Sequence, residues 1–260
     1  MFMLSFLEIP KLVRKRLDYY RSRFFWKSNE LKNKYRLTRW NIICRPKDQG
    51  GLGVEVLELK SKCLLTKWLF KMMNEEGMWQ ELLHNKYLRN KTFSQVSVKP
   101  TYSPFWKGLM GVKDDFLERC YFVVGYGLKT YFWEDTWLGN KPLANEYLSL
   151  DNIVRSKNVM VTQVLANTPL NIEFIRTLTG NRWLQILQLL MGVRLTSESD
   201  SFVWKLTTLG LFTVKSMYMD LLNGHTKFLR RYIWKIKVPL KIKIYICFLS
   251  KNVVNKRQLS

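Results

Sequence analysis

The segment LELKSKCLLTKWLFKMM, residues 57–73, shows the clearest helical periodicity in this chain. Large apolar side chains recur in it three or four residues apart, while lysines share the opposite side of the helical wheel. The apolar set is Leu64, Leu65, Trp68, Leu69, Met72 and Met73, and the lysines are Lys60, Lys67 and Lys71. An aromatic and methionine stripe at this spacing favours core packing, so the segment predicts a partly buried amphipathic helix.

Helical spacing extends to both sides of this segment. Pro10 precedes residues 11–25, which predict a basic amphipathic helix whose basic side chains face solvent. Its apolar residues are Leu12, Leu17, Tyr20 and Phe24. Further helices are expected over residues 79–87, 105–119, 172–178, 182–191 and 215–222. Residues 234–249 fit either a helix opened by Pro239 or a strand, since residues 241–244 alternate lysine with isoleucine.

Strands are expected in two places. Residues 121–124 and 130–133 predict a central β-hairpin, because Gly125 and Gly127 between them can supply a tight turn. Two short strands, 201–206 and 211–214, are expected around Gly210. The predicted class is α+β, mainly α, with a helical first region, a central β-hairpin, and C-terminal helices with a short two-stranded element.

Positive charge is concentrated at the two ends of the chain. The whole chain has 43 Lys and Arg against 20 Asp and Glu, for a net charge of +23. Residues 1–45 hold 12 basic residues and three acids, and residues 227–260 hold 10 basic residues and no acid. Basic clusters of this kind are typical of contact with a polyanion, because Lys and Arg displace counterions from phosphates. A solvated basic surface without a ligand is the alternative.

Metal and cofactor chemistry finds no support in the sequence. The four cysteines are far apart, and neither histidine neighbours one of them, whereas a zinc site needs two close ligand pairs. These residues are Cys44, Cys63, Cys120, Cys247, His84 and His225. We expect reduced, buried thiols, no cofactor and no bound metal. With no signal peptide and no apolar run of about 20 residues, we expect an intracellular protein of the nucleus or cytoplasm, neither secreted nor bound to a membrane.

Two acidic pairs are candidate catalytic groups. Asp114 and Asp115 lie in a helical setting after a lysine, which favours a solvated acidic turn over a metal-binding polymerase motif. Glu134 and Asp135 are expected on opposite faces of a strand, so they cannot act together on one substrate. The carboxylates of Glu134 and Asp135 are expected to accept hydrogen bonds from nearby backbone amides, in a turn held by Trp133 and Trp137. In the loop of residues 45–53, three glycines predict a tight turn, without the pattern of a phosphate-binding loop.

Four segments carry a resemblance to a known family. They are RFFWKSNELKNKYRLTRWNIICRPKDQGGLG (23–53), YFWEDTWLGNKPL (131–143), SFVWKLTTLGLFTVKSMY (201–218) and IWKIKVPLKIKI (233–244). In order and spacing they resemble plant LINE-type (non-LTR) retrotransposon polyproteins downstream of the polymerase active site. There a reverse-transcriptase thumb is followed by a linker and the reverse-transcriptase zinc-binding domain.

The resemblance implies a division of the chain and a helix over residues 234–249. It implies a basic helical thumb-like region (1–89), a linker (90–104), a connector with the hairpin (105–195) and a partial zinc-binding domain (196–260). The family's polymerase motif would precede residue 1, and its zinc ligands would follow residue 260. We therefore expect a fragment truncated at both ends, without polymerase activity and without zinc.

The resulting hypothesis is a non-catalytic fragment of a LINE-type reverse transcriptase that binds RNA or DNA backbone weakly and without sequence preference. No small-molecule substrate is expected. The candidate phosphate contacts are Arg14, Lys15, Arg16, Arg21, Arg23 and Lys27. Trp26 and Trp40 either stack on unpaired bases or anchor the core. The alternative is a helical protein-interaction module, or a retrotransposon remnant without function, but neither needs so many basic residues at the two ends.

Overall fold

The computed structural model describes residues 6–26, 39–49, 51–75, 77–89, 91, 93, 95–151, 158–165, 181–222 and 236–249. The chain forms two compact units. The first comprises Met1–Leu64 and Val214–Ser260, and the second is Leu65–Thr213. The mixed, mainly helical fold predicted from the sequence is confirmed. The segment-by-segment division into a thumb-like region, linker, connector and partial zinc-binding domain stays a prediction.

Helices and strands follow one another along the described residues. The helices are α1 (Lys11–Trp26), α2 (Trp40–Ile43), α3 (Leu57–Asn74), α4 (Met78–Leu83), α5 (Pro104–Gly111), α6 (Lys113–Glu118), α7 (Leu143–Glu146), α8 (Leu148–Asp151), α9 (Val161–Leu165), α10 (Asn181–Met191), α11 (Val214–Leu222) and α12 (Leu240–Leu249). The strands are β1 (Cys120–Val123) and β2 (Ser201–Trp204). A 3₁₀ turn at Lys47–Gln49 and a π-helical turn at His84–Leu88 complete the order.

Most predicted helices form within a residue or two of the expected ends. The segment predicted at 57–73 is α3, with Leu65, Leu69 and Met72 buried as expected. The ambiguous segment ends in a helix, α12. The helix expected at 105–119 is instead interrupted at Val112, which joins α5 to α6 with non-helical dihedral angles. The helix expected at 172–178 lies outside the described residues.

The predicted β-hairpin is wrong in its pairing. Its first arm forms as β1, but β1 pairs antiparallel with β2, so that Phe122 lies opposite Phe202. The expected second arm instead makes a turn after one bridge, between Tyr131 and Met160. The second C-terminal strand, expected at 211–214, is also absent from the described residues. The chain turns back after β2 through a hydrogen bond from the amide of Trp204 to the carbonyl of Gly210, 2.8 Å long.

Aromatic side chains fill the space beside this sheet. Phe202 lies 4.7 Å from Phe122 and 5.2 Å from Phe116, ring centre to ring centre. Trp204 is fully buried and lies 4.8 Å from Phe212, at an edge-to-face angle of 68°. Offset and edge-to-face pairs add to the free energy gained by burying the rings themselves. The short sheet is therefore stabilised mainly by its aromatic face.

The carboxylate of Asp200 explains why the hairpin does not close. Asp200 immediately precedes β2, and its Oδ1 accepts hydrogen bonds from the amides of Gly125 and Gly127, each 2.8 Å. Its Oδ2 accepts from the amide of Lys129 at 2.8 Å and from the hydroxyl of Thr130 at 3.0 Å. The segment after β1 therefore wraps around a carboxylate instead of turning back. Burial opposes ionisation of Asp200, but these donors outweigh it and lower its pKa.

Gly125 is required by close packing of this loop against the chain before β2. A Cβ atom at Gly125 would lie 2.0 Å from the carbonyl oxygen of Glu198. The same contact region contains hydrogen bonds from the amide of Tyr126 to Glu198, 2.9 Å, and from the amide of Thr196 to Gly125, 3.0 Å. The glycine therefore serves a close backbone approach and not a hairpin turn.

We predict that Asp200→Asn lowers the free energy of unfolding by about 2 kcal/mol at pH 7, because an amide group places N–H donors against backbone N–H donors. Since the pKa of Asp200 is lowered in the folded protein, its contribution is present above about pH 4 and is lost as the pH falls through the folded pKa. The difference between wild type and variant should therefore shrink in acid. Urea unfolding at several pH values measures it.

Asp114→Asn is the matched control, because Asp114 is an exposed carboxylate of the same unit. It should change stability by only a few tenths of a kcal/mol. Equal effects of the two substitutions would show that Asp200 has no special structural role.

Candidate nucleic-acid interface

The inward face of α1 is polar, contrary to the expected arrangement. Arg14 makes a 2.9 Å ion pair with Glu58, and its side chain is only 14% exposed. Arg21 donates to the Asp18 carboxylate at 2.9 Å and to the Glu55 carbonyl at 2.8 Å. Glu58 lies on α3 and Glu55 lies just before it, whereas Asp18 lies on α1 itself. Arg14, Asp18 and Arg21 are spaced four and three residues apart, which places them on one side of the helix.

An aromatic cluster closes this face at the end of α1. Asp18 also accepts from the indole nitrogen of Trp40 at 3.2 Å, and the Arg21 guanidinium lies 5.5 Å above the Trp40 ring. Trp26 and Trp40 pack against the buried residues Ile42, Ile43 and Ile244. Core anchoring is therefore the role that the structure gives to both tryptophans.

Two of the predicted phosphate contacts are thus turned toward the protein. The expectation that Arg14 and Arg21 face solvent is wrong, because each finds a partner from a distant part of the sequence. Lys15, Arg16 and Arg23 are exposed. Lys27 lies outside the described residues. Of the six predicted contacts, three are therefore placed at the surface of α1.

The exposed side of α1 carries the apolar residues that were expected to be buried. Leu12 is 79% exposed, Tyr20 57% and Phe24 86%. The apolar stripe expected from the sequence therefore lies on the exposed side of the helix. A signal for the correct side was present, because Arg14, Asp18 and Arg21 form an alternating charged stripe at helical spacing. Such a stripe can be buried when every charge has a partner.

The glycine loop after α2 uses its amides internally. The amides of Gly51, Leu52 and Gly53 donate to backbone carbonyls at 3.0, 2.8 and 2.8 Å. Gly53 has a φ of 71°, which glycine adopts without strain. The predicted tight loop is confirmed, and these three amides are not directed at a ligand.

A separate cavity in the second unit contains the other acidic residues of interest. Its volume is about 910 Å³, and Asp114, Glu134 and Asp135 are among the residues that line it. Glu134 and Asp135 lie in a turn and not on the expected strand, and both line this one cavity. Glu134 accepts a 2.7 Å hydrogen bond from the amide group of Gln95.

Asp135 is the more perturbed member of this pair. It is 7% exposed, and its Oδ2 accepts a 2.8 Å hydrogen bond from the amide of Tyr131, as expected for an acid that caps a turn. Burial raises the pKa of Asp135 to about 7, although that hydrogen bond acts in the opposite direction. The indole of Trp137 completes the turn by donating to the Phe132 carbonyl at 2.9 Å.

Metal and thiol chemistry is not organised in the described part of the chain. There, no three Cys, His, Asp or Glu side chains are grouped to hold a metal ion. Cys44, Cys63 and Cys120 are buried and form no disulfide, as predicted. Burial raises the pKa of Cys44 to about 11, and it raises the pKa of Cys120 well above the ordinary range. Such thiols are protonated and unreactive at neutral pH.

The described residues were also compared with the requirements for a membrane-spanning helix, which are length and apolar character. No helix within them has both the length and the apolar character required to cross a bilayer.

Comparison with known proteins gives two plant relatives. A protein of Arabidopsis thaliana, named provisionally as a ribonuclease H protein, is 26% identical over 267 residues, which cover 96% of this chain and 42% of the relative. An uncharacterized mitochondrial protein of the same plant is 27% identical over 139 residues, which cover 52% of this chain and 89% of the relative. This chain therefore spans less than half the length of the first relative. No known family model matches the chain, and no solved structure matches it.

The division of α1 into an inward and an outward basic set predicts different effects on stability. Arg21→Ala should lower the free energy of unfolding by about 2 kcal/mol, because it leaves Asp18 and the Glu55 carbonyl without their shared donor. Arg16→Ala, on the exposed side of the same helix, should change it by at most about 0.5 kcal/mol. Chemical denaturation followed by circular dichroism measures both. Equal losses would contradict the assignment of inward and outward faces.

The raised pKa of Asp135 predicts that its ionisation opposes folding. The folded protein holds the proton up to about pH 7, whereas the unfolded chain releases it near pH 4. Stability is therefore lost as the pH rises from 4 to 7 and is constant above that. Asp135→Asn should match the wild type near pH 4 and be more stable by roughly 2–4 kcal/mol at pH 8. A variant that is less stable at pH 8 would show that the ionised carboxylate is required.

Proposed function

We propose that this chain is a non-catalytic part of a retroelement-derived, LINE-type reverse transcriptase, and that it binds nucleic acid weakly through the outward face of α1. The resemblance of its Trp- and Gly-containing segments to that family supports the proposal. Similarity to a plant protein named for ribonuclease H agrees with a nucleic-acid context. The observation that carries the binding role is the exposure of Lys15, Arg16 and Arg23 on one helix.

These three cations suit contact with a phosphate backbone. They lie along about 12 Å of helix, at a rise of about 1.5 Å per residue. Within α1 the single acid, Asp18, points inward and is bonded to Arg21 and Trp40. The outward charge is therefore not neutralised by α1 itself. Contacts of this kind neutralise phosphates without reading bases, so affinity is expected to be low, salt-dependent and independent of sequence.

A protein-interaction module is the second candidate function. The exposed side chains of Leu12 and Phe24 favour it, because apolar residues at the surface of a helix can dock in a groove of a partner. The two functions differ in salt dependence. Apolar docking persists at high salt, whereas phosphate binding weakens steeply.

We also propose an intracellular location, which is supported by three buried cysteines that form no disulfide. Absence of polymerase activity and of tightly bound zinc is likewise part of the proposal. Primer extension and elemental analysis on the purified chain test these two points directly.

The binding role predicts that Lys15→Ala, Arg16→Ala and Arg23→Ala together weaken binding to duplex DNA and flatten its salt dependence. Removing three phosphate contacts should reduce the slope of log affinity against log salt by about 2.7. Fluorescence anisotropy with a labelled duplex over a range of salt concentrations measures the slope. Helix content and stability should not change, since all three side chains are exposed.

A charge-retaining variant provides the control. Lys15→Arg, Arg16→Lys and Arg23→Lys keep the same charges on the same face, so the salt slope should stay at the wild-type value. Binding that does not respond to salt or to the triple alanine variant would exclude the nucleic-acid role and favour the interaction module.

A further inference from the structure

The outward face of α1 combines aromatic rings with cations in one surface. Tyr20 and Phe24 are four residues apart, which places their Cα atoms about 6 Å from each other along one side of the helix. Arg16 lies one turn before Tyr20, and Arg23 lies one turn after it. Both rings are more than half exposed. Groups at these positions can reach the same ligand at the same time.

Tyr20 and Phe24 contribute little to the stability of the fold through burial, because both rings remain exposed to solvent. Burial of a Phe side chain stabilises a folded protein, yet Phe24 is 86% exposed. The inward side of α1 is filled by Arg14, Asp18 and Arg21 with their partners. Tyr20 and Phe24 are therefore not needed to hold α1 in place, and a ligand that covers these two rings would gain free energy from their burial.

We propose that α1 binds single-stranded RNA or DNA in preference to duplex, with Tyr20 and Phe24 stacking on unpaired bases while Arg16 and Arg23 contact phosphates. This inference rests on the proposed nucleic-acid function and specifies its ligand. Bases of a single strand offer free faces to aromatic side chains, and stacking of this kind tolerates any sequence. In a duplex the same faces are already stacked, so the rings would gain nothing there.

The arrangement of the face favours a nucleic acid over a lipid surface. A helix that lies on a membrane keeps its apolar and its charged residues on separate sides. On the helical wheel of α1, Arg16 and Arg23 fall between Leu12 and Tyr20. Insertion of the apolar side chains into lipid would therefore draw these guanidinium groups into the apolar layer. A polyanion with flat apolar bases matches the mixed pattern.

The test compares Tyr20→Leu/Phe24→Leu with wild type on three labelled probes at one salt concentration. The probes are an oligothymidylate, an abasic strand with the same number of phosphates, and a duplex of the same length. Leucine keeps the apolar character and favours the helix, so the variant should fold normally. We expect it to bind the oligothymidylate about tenfold more weakly, or more so, because stacking contributes about 1–3 kcal/mol per base. Its affinities for the abasic strand and the duplex should stay within about twofold of wild type.

Leu12→Ala is the matched control, because it removes an exposed apolar side chain from the same face without removing a ring. It should leave binding to the oligothymidylate unchanged within about twofold. Loss of binding as large as that of the double leucine variant would show that apolar contact and not stacking is responsible, and would overturn the proposal.

The outcomes separate this inference from the proposed function. Salt-dependent binding of all three probes that the double leucine variant leaves intact overturns the single-strand preference alone. Absence of salt-dependent binding to every probe overturns both. A third arm uses vesicles of phosphatidylserine and phosphatidylcholine. Equal binding of wild type and the leucine variant to these vesicles, with no ring-dependent binding to the oligothymidylate, would identify a lipid surface and overturn the proposal.

Discussion

The second unit depends most on the hydrogen bonds that the carboxylate of Asp200 accepts. This carboxylate receives three backbone amides and one hydroxyl from residues 125–130, and it stands directly before β2. The same residue therefore fixes the course of the chain after β1 and the start of the strand that pairs with β1. Two further hydrogen bonds fix the end of this loop. The amide of Val161 donates to the Thr130 carbonyl at 3.0 Å, and the amide of Phe132 donates to the Val159 carbonyl at 2.9 Å. The turn that buries Asp135 begins at this point.

Local periodicity predicted the helices well because a helix satisfies its own backbone. The apolar stripe of α3 and the spacing in α11 need no distant partner to form, whereas periodicity left α12 ambiguous and the family resemblance favoured the helix there. The sheet was mispredicted for the opposite reason. Gly125 and Gly127 are compatible with a tight turn, and nothing local distinguishes that turn from a loop around a carboxylate. The deciding residue, Asp200, is 75 positions from Gly125, and single-sequence reasoning has no means of pairing them. Residues 130–133 therefore form one bridge and a turn instead of pairing with β1.

The candidate interface shows a different limit. Periodicity identified the apolar stripe of α1 but could not decide whether that stripe faces inward, because the choice depends on partners elsewhere. Glu58, Glu55 and Trp40 give Arg14, Asp18 and Arg21 enough hydrogen bonds for a partly buried charged cluster. An unpaired charge in the same place would be costly to bury. Because these charges are paired, the charged side of α1 can face inward while Leu12 and Phe24 stay exposed. The charged stripe has the same helical spacing as the apolar one, so spacing alone favours neither side as the inward face.

Net charge overstates the charge that this protein can offer to a ligand. Of the basic residues placed on α1, Arg14 and Arg21 are engaged by carboxylates and a carbonyl, and elsewhere Lys60 and Arg119 are engaged in the same way. Such cations hold neighbouring segments together and release few counterions on binding. The cations left at the outward face of α1 are fewer, but they share that face with exposed rings. A surface of this kind gains affinity from stacking where electrostatic attraction is modest, and stacking requires unpaired bases. Discrimination between nucleic-acid forms can therefore arise on a helix that reads no sequence.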